Sequence, residues 1–166
     1  DVLPTLYEQG KTPLILVLDR ITDIRNFGAI ARTAACVGVD TILIPEKNAA
    51  ANNSDAIKTS AGALHSIKVC RTWNMKLALQ FMKDSGMQII ACTEKTQNNI
   101  YNPNYTLPTA IIIGSEENGI SKDLLQISDI KAKIPMYGKI DSLNVSVATG
   151  IILYEAIKQR NHSSLI

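Results

Sequence analysis

Short apolar runs alternate along this chain with longer amphipathic ones. Residues 14–18 (LILVL), 41–44 (TILI), 67–70, 88–92 and 110–113 (AIII) have strand length and β-branched content, and each ends in polar or turn residues. Between them, residues 27–37, 54–63 and 74–85 place apolar side chains at helical spacing. Strands and helices in this alternation predict an α/β fold: a mainly parallel sheet with helices on both faces. Gly38, Gly86 and Gly114 follow the first helix, the third helix and the last strand, where the chain must reverse or a backbone must approach closely.

The C-terminal stretch differs. Residues 145–157 (VSVATGIILYEAI) are apolar on nearly every face and have helix length, which predicts a helix buried on most sides. Gly150 in its interior costs about 1 kcal/mol relative to Ala and points to a closely packed backbone, with a second subunit as one candidate neighbour. The polar stretch 93–108 reads as the longest loop, and loops of that length are functional or mobile.

At 166 residues, 46% of them hydrophobic and 19% charged, the chain suits one globular domain, assigned to residues 13–166, with residues 1–12 as an extension or linker remnant. Seventeen Lys and Arg against fifteen Asp and Glu leave +2, too little for the whole surface to clamp a nucleic acid. An RNA or DNA partner needs a local patch, for which Arg20, Arg25, Arg32, Lys58, Lys122 and Lys139 are candidates, or a further domain. No apolar run has membrane-span length and the start does not read as a signal peptide, so a cytoplasmic location without membrane association is expected. Cys36, Cys70 and Cys92 are odd in number and far apart, and read as buried thiols. His65 and His162 lack a second ligand at metal spacing, so no metal is expected.

Three segments carry candidate chemistry. In residues 18–38 (LDRITDIRNFGAIARTAACVG), Asn26 sits where it caps the following helix, and Arg32 falls about a turn and a half in; a plain cap and a solvated arginine are the bland alternatives. Residues 111–121 (IIIGSEENGIS) run from a strand through Gly114 to Glu116 and Gly119, at a strand's carboxyl end, where open α/β sheets bind ligands. Neither GxxxxGK[ST] nor GxGxxG is present. In residues 134–144 (IPMYGKIDSLN), Pro135 and Gly138 force a loop, and Ser142 or Asn144 caps the next helix and leaves its N–H groups for a ligand, unless the segment is an ordinary loop and cap.

In this order, NFGAIARTA, GSEENGIS and IPMYGKIDSLNVSVATGIILYEA closely resemble the three motifs of the SpoU, or TrmH-like, branch of the SPOUT methyltransferases, which act on RNA ribose 2′-hydroxyls. The resemblance covers residues 13–160. It implies a C-terminal deep trefoil knot, S-adenosylmethionine bound in the knot, and a homodimer through the knot helices. By motif, Gly114, Ile134 and Leu143 match positions that hold the cofactor largely through backbone atoms, with Met136 and Thr93 lining the same pocket. Asn26, Arg32, Glu116, Ser142 and Asn144 match catalytic and substrate-orienting positions. Ile24 stands where many members have proline and Glu117 where many have glycine, departures that bear on loop geometry.

The wording of SLNVSVATGIILYEA and KTSAGALHSIKVCR resembles the bacterial 23S rRNA guanosine methyltransferases more than the tRNA enzymes, which favours rRNA over tRNA as the substrate. Those rRNA enzymes usually carry a small N-terminal RNA-binding domain, and a chain opening on Asp1 is expected to be a catalytic domain without it. A free guanidinium stays protonated at ordinary pH, so Arg32 suits pairing with a phosphate beside the target ribose better than acting as a base. Asn26 and Glu116 would then hold Arg32 and the loops, while Ser142 and Asn144 orient the ribose. A non-catalytic RNA-binding module is disfavoured by the intact residue set, and a dinucleotide oxidoreductase by the missing GxGxxG.

Overall fold

The computed structural model describes residues 2–47 and 66–164, with side chains through Asn161. Among them, β1 (Leu14–Asp19), β2 (Thr41–Pro45), β3 (Lys68–Thr72), β4 (Gln88–Cys92), β5 (Thr109–Gly114) and β6 (Ile130–Ala132) form one sheet in the order β3-β2-β1-β5-β4-β6. Every neighbouring pair is parallel. The helices are α1 (Val2–Glu8), α2 (Ile24–Val37), α3 (Met75–Asp84), α4 (Lys122–Ile127) and α5 (Val145–Ser164).

Strands covered on both faces read as continuous apolar runs, and β1 is buried at all six positions. Alternate residues serve opposite faces. Leu14, Leu16, Leu18, Ile111 and Ile113 pack with Phe27, Ile30 and Ala31 of α2 and Ile152 and Leu153 of α5. Ile15, Val17, Ala110 and Ile112 pack with Leu79 and Met82 of α3, Leu124 and Leu125 of α4, and Leu3 of α1.

The structure corrects several expectations. Asn26 is not the helix cap: α2 starts earlier, and Asp23 Oδ1 accepts from the Asn26 N–H at 2.9 Å. Ile24 therefore occupies the first helical position, where a proline is pre-organised. Cys36 is exposed and not a buried thiol, because it falls on the outer face of α2. The last helix runs on to Ser164, and Val147 and Tyr154 leave part of its apolar surface uncovered. Gly150 faces α2, where an added Cβ would meet Thr33 Cγ2 at 3.7 Å, an ordinary contact that does not demand glycine. The expected helix over residues 54–63, with Lys58 and His65, lies outside the described residues, as does the His162 side chain.

Candidate active site at the carboxyl edge of the sheet

From β1 the chain moves outward to β2 and β3, whereas β5 and β4 lie on the other side of β1. The order thus reverses between β1 and β5, and it is beyond the carboxyl ends at such a switch point that open α/β sheets place their ligand crevice. Asp19 and Gly114 are register partners there. A Cβ on Gly114 would lie 2.3 Å from the Gly119 carbonyl carbon and 2.5 Å from the Ile120 nitrogen, so only glycine lets the returning loop sit against the strand.

That loop, residues 115–121, is tied both to itself and to β1. Gly119 N donates to Ser115 O at 2.8 Å, and Asn118 N to Ser115 Oγ at 3.1 Å. Buried Asp19 accepts from Ser121 N at 2.8 Å. Arg20, held at φ +63°, donates through Nη2 to Asn118 O at 3.1 Å and Gly119 O at 2.9 Å. Left-handed backbone at a non-glycine residue is uncommon and marks a position fixed by its surroundings. Asp19 and the clamping role of Arg20 escaped the sequence reading; the available signal was a charged pair directly after a fully apolar run.

The loop in turn holds the start of α5. Glu116 Oε1 accepts from Val145 N at 2.8 Å, and Asn144 Oδ1 accepts from Ser146 N at 2.9 Å and from Ser146 Oγ. Asn144, rather than Ser142, is therefore the cap, and a carboxylate joins it at the positive end of a twenty-residue helix. Asn144 Nδ2 donates to Asn26 Oδ1 at 3.2 Å, so Asn26, Glu116 and Asn144 come together from three segments.

The remaining candidates lie around this network. Thr93 follows β4 and donates its N–H to Ala132 O at 2.9 Å, while its hydroxyl accepts from Lys95 N at 3.2 Å. Ile134, beyond β6, is half-buried against the core, Leu143 is half-buried, and Met136 and Ser142 are exposed. The backbone from Ile134 to Leu143 makes no hydrogen bond with a described residue, which leaves its N–H and C=O groups available at the strand ends. Arg32 is exposed on α2 without a hydrogen bond or ion pair to a described residue, and neither Asn26 nor Glu116 touches it through one. Beneath the edge, burial, aided by Glu94, pushes the Cys92 thiol up to about 12, so it stays protonated. Among the described residues, no group of three or more His, Cys, Asp or Glu is placed to hold a metal, and no helix is long and apolar enough to cross a membrane.

The sheet order defines a doubly wound α/β domain, and the candidate site lies at its switch point against the N-terminus of the last helix. The chain belongs to the SpoU rRNA Methylase family, which it matches over residues 13–154. It is 36% identical over 159 residues to the 23S rRNA (guanosine-2'-O-)-methyltransferase RlmB of Photorhabdus laumondii, covering 96% of this chain and 65% of that protein. It thus spans slightly under two thirds of that relative. The TrmH/SpoU tRNA modifying enzyme of A. aeolicus superposes with a TM-score of 0.83 at 33% identity, over 99% of this chain and 87% of that one. The SpoU methyltransferase AviRb of Streptomyces viridochromogenes, in complex with AdoMet, gives 0.84 at 26% identity, over 91% of this chain and 62% of that one.

Proposed function

We propose that the chain is an S-adenosylmethionine-dependent RNA 2′-O-ribose methyltransferase of the cytoplasm, and that its substrate is a guanosine of 23S rRNA. Residues 13–166 form the catalytic domain in this reading, with residues 1–12 as an N-terminal extension whose Leu3 packs on it. The observation that carries it is the convergence of Asn26, Glu116 and Asn144 on the first turn of α5, at the sheet's switch point, in a chain of this family.

The residues present fit the cofactor. Free main-chain groups over residues 134–143, beside a Gly114 that admits no side chain, suit a ligand read largely by backbone hydrogen bonds. Gly114, Ile134 and Leu143 would hold it, with Met136 and Thr93 lining the site. S-adenosylmethionine, when bound, supplies a methyl group on a positively charged sulfur. The chain's own task is to fix the 2′-hydroxyl in line and to ease the loss of its proton. Arg32, unpaired within the described chain, pairs with a phosphate beside the target ribose, and a bidentate guanidinium fixes that nucleotide better than an ammonium does. Asn144 and Ser142 orient the ribose; Asn26 and Glu116 keep Asn144 and the helix end in place.

We further infer a deep trefoil knot formed where α5 passes the 115–121 loop, and a homodimer through the knot helices. Exposed Tyr137 (90%), Ile140 (79%), Val147 and Tyr154 support that assembly as large apolar side chains on the last loop and helix that a second copy would cover. The test is transfer of labelled methyl from S-adenosylmethionine to rRNA, with the modified ribose mapped afterwards. Arg32→Ala is expected to lower turnover by about a hundredfold or more with cofactor affinity unchanged, and Arg32→Lys not to restore it. Labelling of tRNA alone would replace the rRNA assignment, and no labelling of any RNA would overturn the enzyme reading.

A further inference from the structure

The carboxyl edge extends past the crevice to β3, and there Trp73 stands 77% exposed. The residues on either side of it are held. Thr72 O accepts from Glu46 N at 2.9 Å, Thr72 Oγ1 donates to Asn74 O at 3.1 Å, and Asn74 Oδ1 accepts from Leu77 N at 3.0 Å as the cap of α3. An indole held at a fixed root and left open to solvent loses little freedom when a flat partner covers it. The exposed face of α3 continues the surface with Lys76, Leu77, Gln80 and Phe81.

Charge narrows the partner. Residues 68–83 contain four Lys or Arg, followed directly by Asp84, and Lys83 is paired with Asp129 at 3.4 Å, so the cations nearest Trp73 in the chain are Arg71 and Lys76. The adjoining end of β2 adds Glu46 and Lys47, one of each sign. A basic segment interleaved with exposed aromatic residues is the makeup of a surface that tracks unpaired nucleic acid, with phosphates on the cations and bases stacked on the rings. With about 4.8 Å between neighbouring strands, Trp73 lies two strands, or roughly 10 Å, to the side of β1, within reach of nucleotides flanking the one in the crevice.

We propose that Trp73 is a stacking platform for an unpaired base of the RNA substrate, flanking the methylated nucleotide. This rests on the RNA-methyltransferase reading, and the test separates the two. Trp73 is the only tryptophan in the chain, so its fluorescence reports on this surface alone. Titration of the full chain with a short single-stranded oligoribonucleotide is expected to quench that emission more strongly than titration with the same sequence as a duplex. Trp73→Ala is expected to raise KM for RNA roughly five- to tenfold, with kcat and S-adenosylmethionine affinity unchanged, and Trp73→Phe to recover most of the loss.

Unchanged emission at RNA concentrations that saturate methyl transfer overturns the proposal while the enzyme reading stands. So does a Trp73→Ala phenotype confined to sedimentation, which would assign the surface to a protein partner or a second copy. Quenching by single strands without methyl transfer to any RNA would overturn the enzyme reading and keep the RNA-stacking surface.

Discussion

The two ends of α5 are held in opposite ways. At its start, one carboxylate oxygen, one amide and one asparagine pair do the holding, all from exposed or half-exposed side chains. Toward its other end, Arg160 donates to four carbonyls, Tyr105 O and Thr12 O at 2.7 Å and Pro13 O and Leu107 O at 3.0 Å. Gln159 receives the Tyr105 N–H at 2.9 Å and donates to Pro103 O and Glu155 Oε2. Buried Tyr105 donates its hydroxyl to Ile100 O at 2.6 Å. The far end is thereby locked to the 93–108 segment and to the entry of β1, while the near end keeps its polar groups within reach of ligands. If the proposed site is the functional one, stability and site chemistry are divided along one helix.

Substitutions can break that division or sharpen it. Arg160→Ala strands four carbonyls at once and is expected to lower unfolding free energy by about 3 kcal/mol, measured by urea denaturation, with cofactor affinity of the folded protein unchanged. A loss of affinity larger than the loss of stability would show the two ends to be coupled.

Alkaline pH acts beneath the carboxyl edge instead, through the thiol that ends β4. Folded Cys92 holds its proton to about 12, against 9.0 for a free thiol. Above pH 9 the native state therefore binds more protons than the unfolded chain, and stability falls as pH rises toward the folded value. About 1.4 kcal/mol should be gone by pH 10, and Cys92→Ala should lack that part of the decline. Tyr105 shifts the same way, through burial first and then Cys92 and Glu155, so its contribution joins at higher pH.

At the near end the expected effects on stability are smaller. Glu116→Ala removes a cap and a charge from a helix terminus and should cost about 1 kcal/mol, while Glu116→Gln restores roughly half. Calorimetric titration with S-adenosylmethionine should register Glu116→Ala more strongly than denaturation does. Asn26→Ala deletes one exposed 3.2 Å hydrogen bond and should change stability by less than about 0.5 kcal/mol, with its effect confined to turnover on RNA.

The regular part of the fold was legible because burial on both faces writes itself as unbroken apolar runs: the expected strand at residues 88–92 and the observed β4 coincide. Elements shorter than two helical turns or four strand residues carry no measurable period, so α1, α4 and β6 were missed. The cap of α2 was misplaced because Asp23 and Asn26 have equal claims by residue type, and only the backbone at Asp23, φ −74° and ψ 123°, decides between them. The site motifs were visible as residue types. Their joining was not, since Glu116 and Val145 are 29 residues apart and Asn26 and Asn144 are 118 apart, and no local pattern encodes a pairing at that range.

The Glu116 contact also sets an order of assembly. A chain made from its amino terminus presents that carboxylate 29 residues before the amide that it will accept. The sheet's carboxyl edge can thus be waiting when α5 emerges, and the last helix completes the crevice on arrival. A translation product cut short before Val145 would carry the strands, the glycine turn, Arg32 and the 134–143 segment, yet lack the helix start that Glu116 and Asn144 hold, and so leave that edge of the sheet unfinished.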